Sequence, residues 1–332
     1  MAELTTKYLG LSLSNPLIVG SSGLTDSVEN ILELEKAGAG AVVLKSLFEE
    51  QIMLEVDSSL KEAYQNDMIY SAKSETLDYI DLHIRERTLS AYIELIKETK
   101  KKVMIPVIAS INCVSSAEWI NFANYFEEAG ADALELNIAI LPSDDKTKAS
   151  EIEKVHFDII EKVRSKVKIP LSIKMSSSFT NLAQMIKRLS ETGIDGIVMF
   201  NRFYTPDFDI NNFAEKSSNT FSTAAESGNI RRWVGIMSSK IDSDLAASTG
   251  IHSAEDMIKQ LLAGARAVQV VSTVYRNGKD QIQKMLGGLN QWMDEKGYNT
   301  IEQFRGKLSQ EKTSNPSAYE RIQFMRYFSE IK

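Results

Sequence analysis

Two lysines interrupt runs of otherwise apolar residues, Lys45 in Ala-Val-Val-Leu-Lys-Ser and Lys174 in Pro-Leu-Ser-Ile-Lys-Met. An ammonium group in such surroundings is expensive unless an anion answers it, so each marks a place where a negatively charged ligand is expected. The other readings of such a lysine are a side chain that snorkels to a rim and a Schiff-base nucleophile of an aldolase. Three asparagines, Asn112, Asn137 and Asn201, follow or close similar runs. Small residues cluster at Ser21-Ser22-Gly23, Ser248-Thr249-Gly250-Ile251 and Ser272-Thr273, where free backbone amides can hold a phosphate.

The elements that must position these groups are short apolar runs, because a parallel strand buried on both faces reads as a continuous apolar stretch. Eight such runs are found, at 17–22, 41–46, 106–111, 133–138, 170–175, 196–201, 244–249 and 267–272. Amphipathic stretches lie between them, among them Val28–Lys36, 117–128, 151–163, 182–191 and 254–262. Gly38, Gly130, Gly193 and Gly264 recur in similar settings, each where a helix must end in a left-handed residue before the next strand. This repeated half-unit predicts a (β/α)8 TIM barrel more readily than an open doubly wound sheet, since no Gly-x-Gly-x-x-Gly follows the first strand. Two segments exceed a minimal barrel, 47–102 after the second strand and 202–235 after the sixth. Insertions of that length are expected to be lids, dimer contacts or disordered segments.

The carboxyl ends of barrel strands are the catalytic face, and every polar group named above falls there. Small residues after strands seven and eight are where barrels hold a phosphate. With lysines across the mouth, the pattern predicts a phosphorylated cofactor carrying a second, delocalised negative charge. Flavin mononucleotide (FMN) has that shape, and a lysine beside its pyrimidine edge would stabilise the reduced anion.

The 332 residues carry 38 Lys plus Arg against 45 Asp plus Glu, a net charge of −7, with no long basic run. That balance disfavours nucleic acid and anionic membranes as partners. One cysteine, Cys113, and three histidines, His83, His156 and His252, argue against disulfides and against a Cys/His zinc site. The polar N-terminus and the lack of an apolar run near 20 residues predict a cytoplasmic protein with no membrane contact. No linker composition divides the chain, so residues 1–332 read as a single domain.

Several short motifs in fixed order carry a resemblance. Tyr8-Leu-Gly-Leu-Ser-Leu-Ser-Asn-Pro-Leu17, Leu44-Lys45-Ser46, Glu135-Leu136-Asn137, Lys174, Asn201, Thr249-Gly250-Ile251 and the stretch Trp292 to Leu308 make the chain resemble class 1 of the dihydroorotate dehydrogenase family. The resemblance implies a TIM barrel opened by an N-terminal β-hairpin, with FMN as cofactor. It further implies flavin contacts from Ser22, Lys45, Ser46, Asn137, Lys174, Asn201, Thr249, Gly250, Ser272 and Thr273, with Asn137, Asn201 and Lys45 reaching substrate.

The departures fall on the substrate side. The family continues its Glu-Leu-Asn with Leu/Val-Ser-Cys-Pro-Asn, and the cysteine removes a proton from dihydroorotate. Here Ile140 holds the cysteine position and Pro142 that of the asparagine. The segment 71–76 has no counterpart of the family's Gly-Leu-Pro-Asn, and Arg202 follows Asn201 where the family prefers a small hydroxyl residue. Ser143 and Asp144 are the nearest candidates for the missing base, with Lys174 and Lys45 as the charged catalytic groups, and Tyr204 is a proton donor for the reducing direction. The sequence thus predicts an FMN-dependent oxidoreductase acting on CH–CH bonds, with dihydroorotate oxidation in pyrimidine biosynthesis as the default reaction. A flavin-dependent reductase of another unsaturated substrate, a Schiff-base aldolase and a flavin-binding protein without turnover remain open. A soluble electron acceptor or partner protein and a homodimer are expected.

Overall fold

The computed structural model describes residues 2–48, 58, 74–112, 116–138, 140–216 and 220–321. A short hairpin, β1 (Thr6–Tyr8) and β2 (Leu11–Leu13), opens the chain. Eight parallel strands follow: β3 (Leu17–Val19), β4 (Ala41–Val43), β6 (Val107–Asn112), β7 (Ala133–Ile138), β8 (Leu171–Met175), β9 (Gly196–Met199), β12 (Asp244–Ser248) and β13 (Ala267–Val270). They pair in chain order, and β13 against β3 closes the ring. The expected (β/α)8 barrel is therefore present. A two-residue strand, β5 (Leu47–Phe48), extends the pairing along β6.

Strand alternation divides the apolar residues into two clusters. Leu17 and Val19 face outward to the helices. Ile18, Val43, Ile108 and Val198 face the barrel interior, where Tyr8, Leu9 and Leu13 of the hairpin pack beneath them and plug its lower end. Helices α1 (Val28–Lys36), α3 (Ser116–Glu128), α4 (Ala149–Arg164), α5 (Leu182–Ser190), α6 (Ser227–Met237), α7 (Ala254–Ala263), α8 (Ser272–Asn277) and α9 (Asp280–Lys296) join the strands or follow the last of them. The four recurring glycines have φ of +96° at Gly38, +95° at Gly130, +82° at Gly193 and +121° at Gly264. A side chain there would be strained, which is why the half-unit repeats glycine.

The two insertions hold more regular structure than their sequences suggest. Most of the described part of 47–102 is the 29-residue helix α2, Ser74–Lys102. Its polar composition hides an apolar stripe, but Tyr92 and Ile96 are buried in the core. The segment 202–235 begins with a hairpin, β10 (Asp207–Asp209) and β11 (Ala214–Lys216), and ends in α6. Cys113 and residues 71–73 lie outside the described residues. Among the described residues, no helix is long and apolar enough to cross a membrane.

Candidate active site

A cavity of about 290 Å³ opens at the carboxyl ends of the strands. Ser21, Lys174, Asn201, Arg202, Ser222, Thr249, Gly250, Gln269 and Ser272 are among its lining residues. Residues 250 positions apart in sequence meet there because each follows or closes a strand of one ring, and the barrel brings all eight strand ends to one face.

Lys174, near the end of β8, donates from Nζ to Oε1 of Gln269 at 3.1 Å. Gln269 in turn donates from Nε2 to Oε2 of Glu135 at 2.6 Å. Glu135 is 1% exposed, and its Oε1 has no hydrogen-bond partner among the described residues. Burial pushes its carboxyl up, against the Lys174 charge and the Gln269 hydrogen bond, which pull it down. Asn201, after β9, donates from Nδ2 to Oδ1 of Asn137 on β7, so the two asparagines form one polar unit that bridges over the intervening β8.

The other wall is made of small residues. Thr249 and Gly250 both adopt positive φ, +81° and +75°. A Cβ on Gly250 would stand 2.5 Å from the Ser227 amide nitrogen, so only glycine fits. The Gly250 amide donates to Ser222 Oγ at 3.2 Å, and the Ser222 amide donates to Ser272 Oγ at 3.0 Å. Ser222 Oγ also lies 3.3 Å from His252 Nε2. Ser222, Thr249, Gly250 and Ser272, with His252 behind Ser222, form a small polar wall in the cavity that Lys174 also lines, a concave polar surface suited to an anion. Gln269, Ser222 and His252 were not singled out as ligands by sequence reasoning. For Gln269 the signal existed, since a polar residue in the middle of Ala-Val-Gln-Val-Val is unexpected in a strand buried on both faces.

Not every expected residue lines this cavity. Lys45 is exposed, between buried Leu44 and Ser46, because strand-like alternation turns its side chain away from theirs. The two lysines therefore do not enter one cavity. Ser46 is buried and shares hydrogen bonds with Ser110 Oγ at 2.7 Å and Ser21 Oγ at 3.0 Å, which places it behind Ser21. Ser22 caps the turn Gly23–Thr25 and donates to the Gly20 carbonyl. Thr273 donates to the carbonyl of His252 at 3.1 Å and so braces the wall from outside.

The candidates for a base fare worse. Ser143 and Asp144 are exposed on the loop after β7. Asp144 accepts hydrogen bonds from Thr147 and from the Lys146 amide, which hold its carboxyl below the usual range and make it a poorer base. Ile140 is half-buried against the core. Tyr204 is exposed and donates to the Lys216 carbonyl within the β10–β11 hairpin, away from the cavity lining. Arg202 lines the cavity and is ion-paired with Glu226 at 2.7 Å.

The chain matches the family model described as dihydroorotate dehydrogenase over residues 3–293. It is 27% identical to the dihydroorotate dehydrogenase B (NAD(+)) catalytic subunit of Thermoplasma volcanium, over 92% of this chain and 98% of that protein. The corresponding subunit of Methanocaldococcus jannaschii is 25% identical, over 91% and 97%. The NAD-dependent dihydropyrimidine dehydrogenase subunit PreA of Escherichia coli is 23% identical, over 92% of this chain and 76% of its own length.

Proposed function

Because this chain belongs to the dihydroorotate dehydrogenase family, we propose that its cavity holds FMN and that the enzyme oxidises or reduces a CH–CH bond of a small ring substrate, dihydroorotate being the substrate its relatives' names supply. It is an oxidoreductase of the dihydroorotate dehydrogenase type. One observation carries the cofactor reading. The Lys174 ammonium and a cluster of small hydroxyl-bearing residues line one cavity, an arrangement that suits a molecule with a phosphate at one end and a delocalised anion at the other.

In this reading Thr249, Gly250, Ser222 and Ser272 hold the phosphate, and Lys174 lies beside the ring's electron-rich edge. Bound FMN supplies a two-electron acceptor for hydride. Lys174 provides a fixed positive charge where negative charge develops on reduction, which is electrostatic stabilisation that needs no reorganisation. The Asn137–Asn201 unit presents amide groups that orient a ring substrate by hydrogen bonds. Lys45, exposed after β4, is available to a substrate carboxylate. Proton removal from the carbon next to the hydride donor has no well-placed acceptor on the loop after β7, since Ile140 has none and Asp144 is committed to Thr147.

That gap favours a second reading, a flavin-dependent reductase of another unsaturated ring. The relative named for dihydropyrimidine is in keeping with it. In either case we propose a single barrel domain in the cytoplasm whose electrons pass to or from another protein, since the relatives are named as catalytic subunits. Exposed Phe208, Ile210 and Phe213 on the β10–β11 hairpin support contact with a further chain, a second copy or a partner subunit. The visible spectrum of the purified protein tests the cofactor reading. A yellow protein that releases FMN and not FAD on denaturation is expected, and a colourless protein that takes up no added FMN would refute it.

A further inference from the structure

A chain of hydrogen bonds runs from the cavity wall into the barrel, from Lys174 through Gln269 to Glu135. Glu135 belongs to β7, Gln269 to β13 and Lys174 to β8. In the closed ring β13 and β7 are separated by β12, β9 and β8, so they are opposite staves, and Glu135 and Gln269 meet across the barrel axis. Both are almost fully buried, at 1% and 2% exposure.

Nothing in the stability of the barrel calls for this arrangement. Burying a carboxylate costs several kcal/mol even when it is paired, and one oxygen of Glu135 has no partner among the described residues. The inward-facing residues two positions earlier on the same strands, Ala133 and Ala267, are apolar and packed in the barrel interior. The three groups are nonetheless matched. A carboxylate only accepts hydrogen bonds and an ammonium only donates them, so a bridging amide must present its N–H to Glu135 and its carbonyl to Lys174. The hydrogen bonds have that polarity, 2.6 Å on the carboxylate side and 3.1 Å on the ammonium side. Glu135 therefore fixes which way the Gln269 amide faces, and the amide fixes where the ammonium stands.

We propose that Glu135 and Gln269 are positioning residues that hold the Lys174 ammonium at the floor of the cavity, aimed at the anionic edge of the flavin. The inference rests on the FMN reading above. Lys174 has a long flexible stem whose head would otherwise turn to solvent at the mouth, and a bond from a charged donor to a buried, oriented acceptor removes that freedom. Burial pushes the Glu135 carboxyl up while the Lys174 charge pulls it down, so the two groups are also coupled electrostatically.

The test is a double-mutant cycle between the pair and Lys174. Gln269→Met keeps length and volume while removing both hydrogen bonds, and Glu135→Gln keeps shape while removing the carboxylate. Each is made in the wild-type and in the Lys174→Ala background, and the dissociation constant and midpoint potential of FMN are measured. In the wild-type background Gln269→Met should weaken FMN binding by about tenfold and lower the potential, with Glu135→Gln acting in the same direction. In the Lys174→Ala background both should leave affinity and potential unchanged. Equal effects in the two backgrounds would show that the pair merely stabilises the barrel and would overturn the proposal. A readout without cofactor separates this from the FMN reading. In FMN-free protein, reductive methylation of Lys174, located by peptide mass, should be faster in Gln269→Met than in wild type. If wild type binds no FMN but that acceleration is seen, the flavin reading falls while the positioning of Lys174 stands. If the rate is unchanged, the positioning falls.

Discussion

The two sides of the barrel mouth are built differently. On the side of β8, β9, β12 and β13, each polar group is held by another: Lys174 by Gln269, Ser222 by Ser272, and the Gly250 amide by Ser222. On the side of the loop after β7, residues 141–148 are exposed, and their hydrogen bonds run within the loop, as from Thr147 to Asp144. The first side has the preorganisation that binding an anionic cofactor demands, because its donors are fixed before the ligand arrives. The second side, where the family's base would stand, carries Ile140 and Pro142. On the reading proposed above, cofactor binding and substrate chemistry would therefore rest on structurally separate parts of the barrel mouth.

The sharpest way to break that comparison is to offer dihydroorotate to the enzyme. A positioned base contributes about 10² to 10⁴ in rate, and Ile140 supplies none. Reduction of the bound flavin by dihydroorotate at neutral pH should be slower by that factor than in a family member with the cysteine. Ile140→Cys alone should not restore it, because Pro142 remains. Stopped-flow bleaching at full family rates in the wild type would mean that an unrecognised base reaches the site, and that the two sides are not functionally separate.

Next in size are two changes on the cofactor side. Lys174→Ala removes a charged group from the anion it answers, a loss of about 1.5–3 kcal/mol, so the FMN dissociation constant should rise roughly 10- to 100-fold and the midpoint potential should fall. Gly250→Ala adds a Cβ at positive φ and within 2.5 Å of backbone, which should destabilise the protein by about 1–3 kcal/mol and loosen FMN binding with it. Thermal melting in the presence and absence of FMN measures both terms. Unchanged melting for Gly250→Ala would show that this wall is more pliable than its hydrogen bonds suggest.

Much of the cofactor side was legible because it follows from strand position. Once the eight apolar runs are placed, Lys174, Asn201, Thr249, Gly250 and Ser272 must lie at one face, whatever their separation in sequence. Lys45 obeys the same rule but not the same orientation, since a one-residue step along an extended chain reverses the side chain and no apolar pattern marks that step at a strand's end. Ser222 and His252 escaped because their meeting depends on how the insertion after β9 folds back, a tertiary fact with no local signal. Likewise Glu35 and Glu127 look like ordinary surface carboxylates at helix ends. Each accepts a pair of backbone amides at the lower face, Met104 and Ile105 for one and Lys168 and Ile169 for the other. Only the assembled barrel reveals that they tie helix to strand.

The smallest expected effect concerns Ser143 and Asp144, and it sharpens the comparison by showing what is missing from the substrate side. Both were drawn in by sequence distance from Ile140. A useful base needs an accessible lone pair within hydrogen-bond reach of the substrate and a pKa near the working pH. Asp144 fails the second condition, since hydrogen bonds from Thr147 and the Lys146 amide hold its carboxyl low. Ser143 has no basic side chain hydrogen-bonded to it among the described residues, and an isolated hydroxyl is a weak base. Asp144→Ala and Ser143→Ala should therefore change the rate of flavin reduction by less than about twofold, the range of exposed substitutions away from any special feature. A steep loss in either variant, with FMN affinity unchanged, would mean that the loop closes over the flavin during the reaction and brings that residue in as the base.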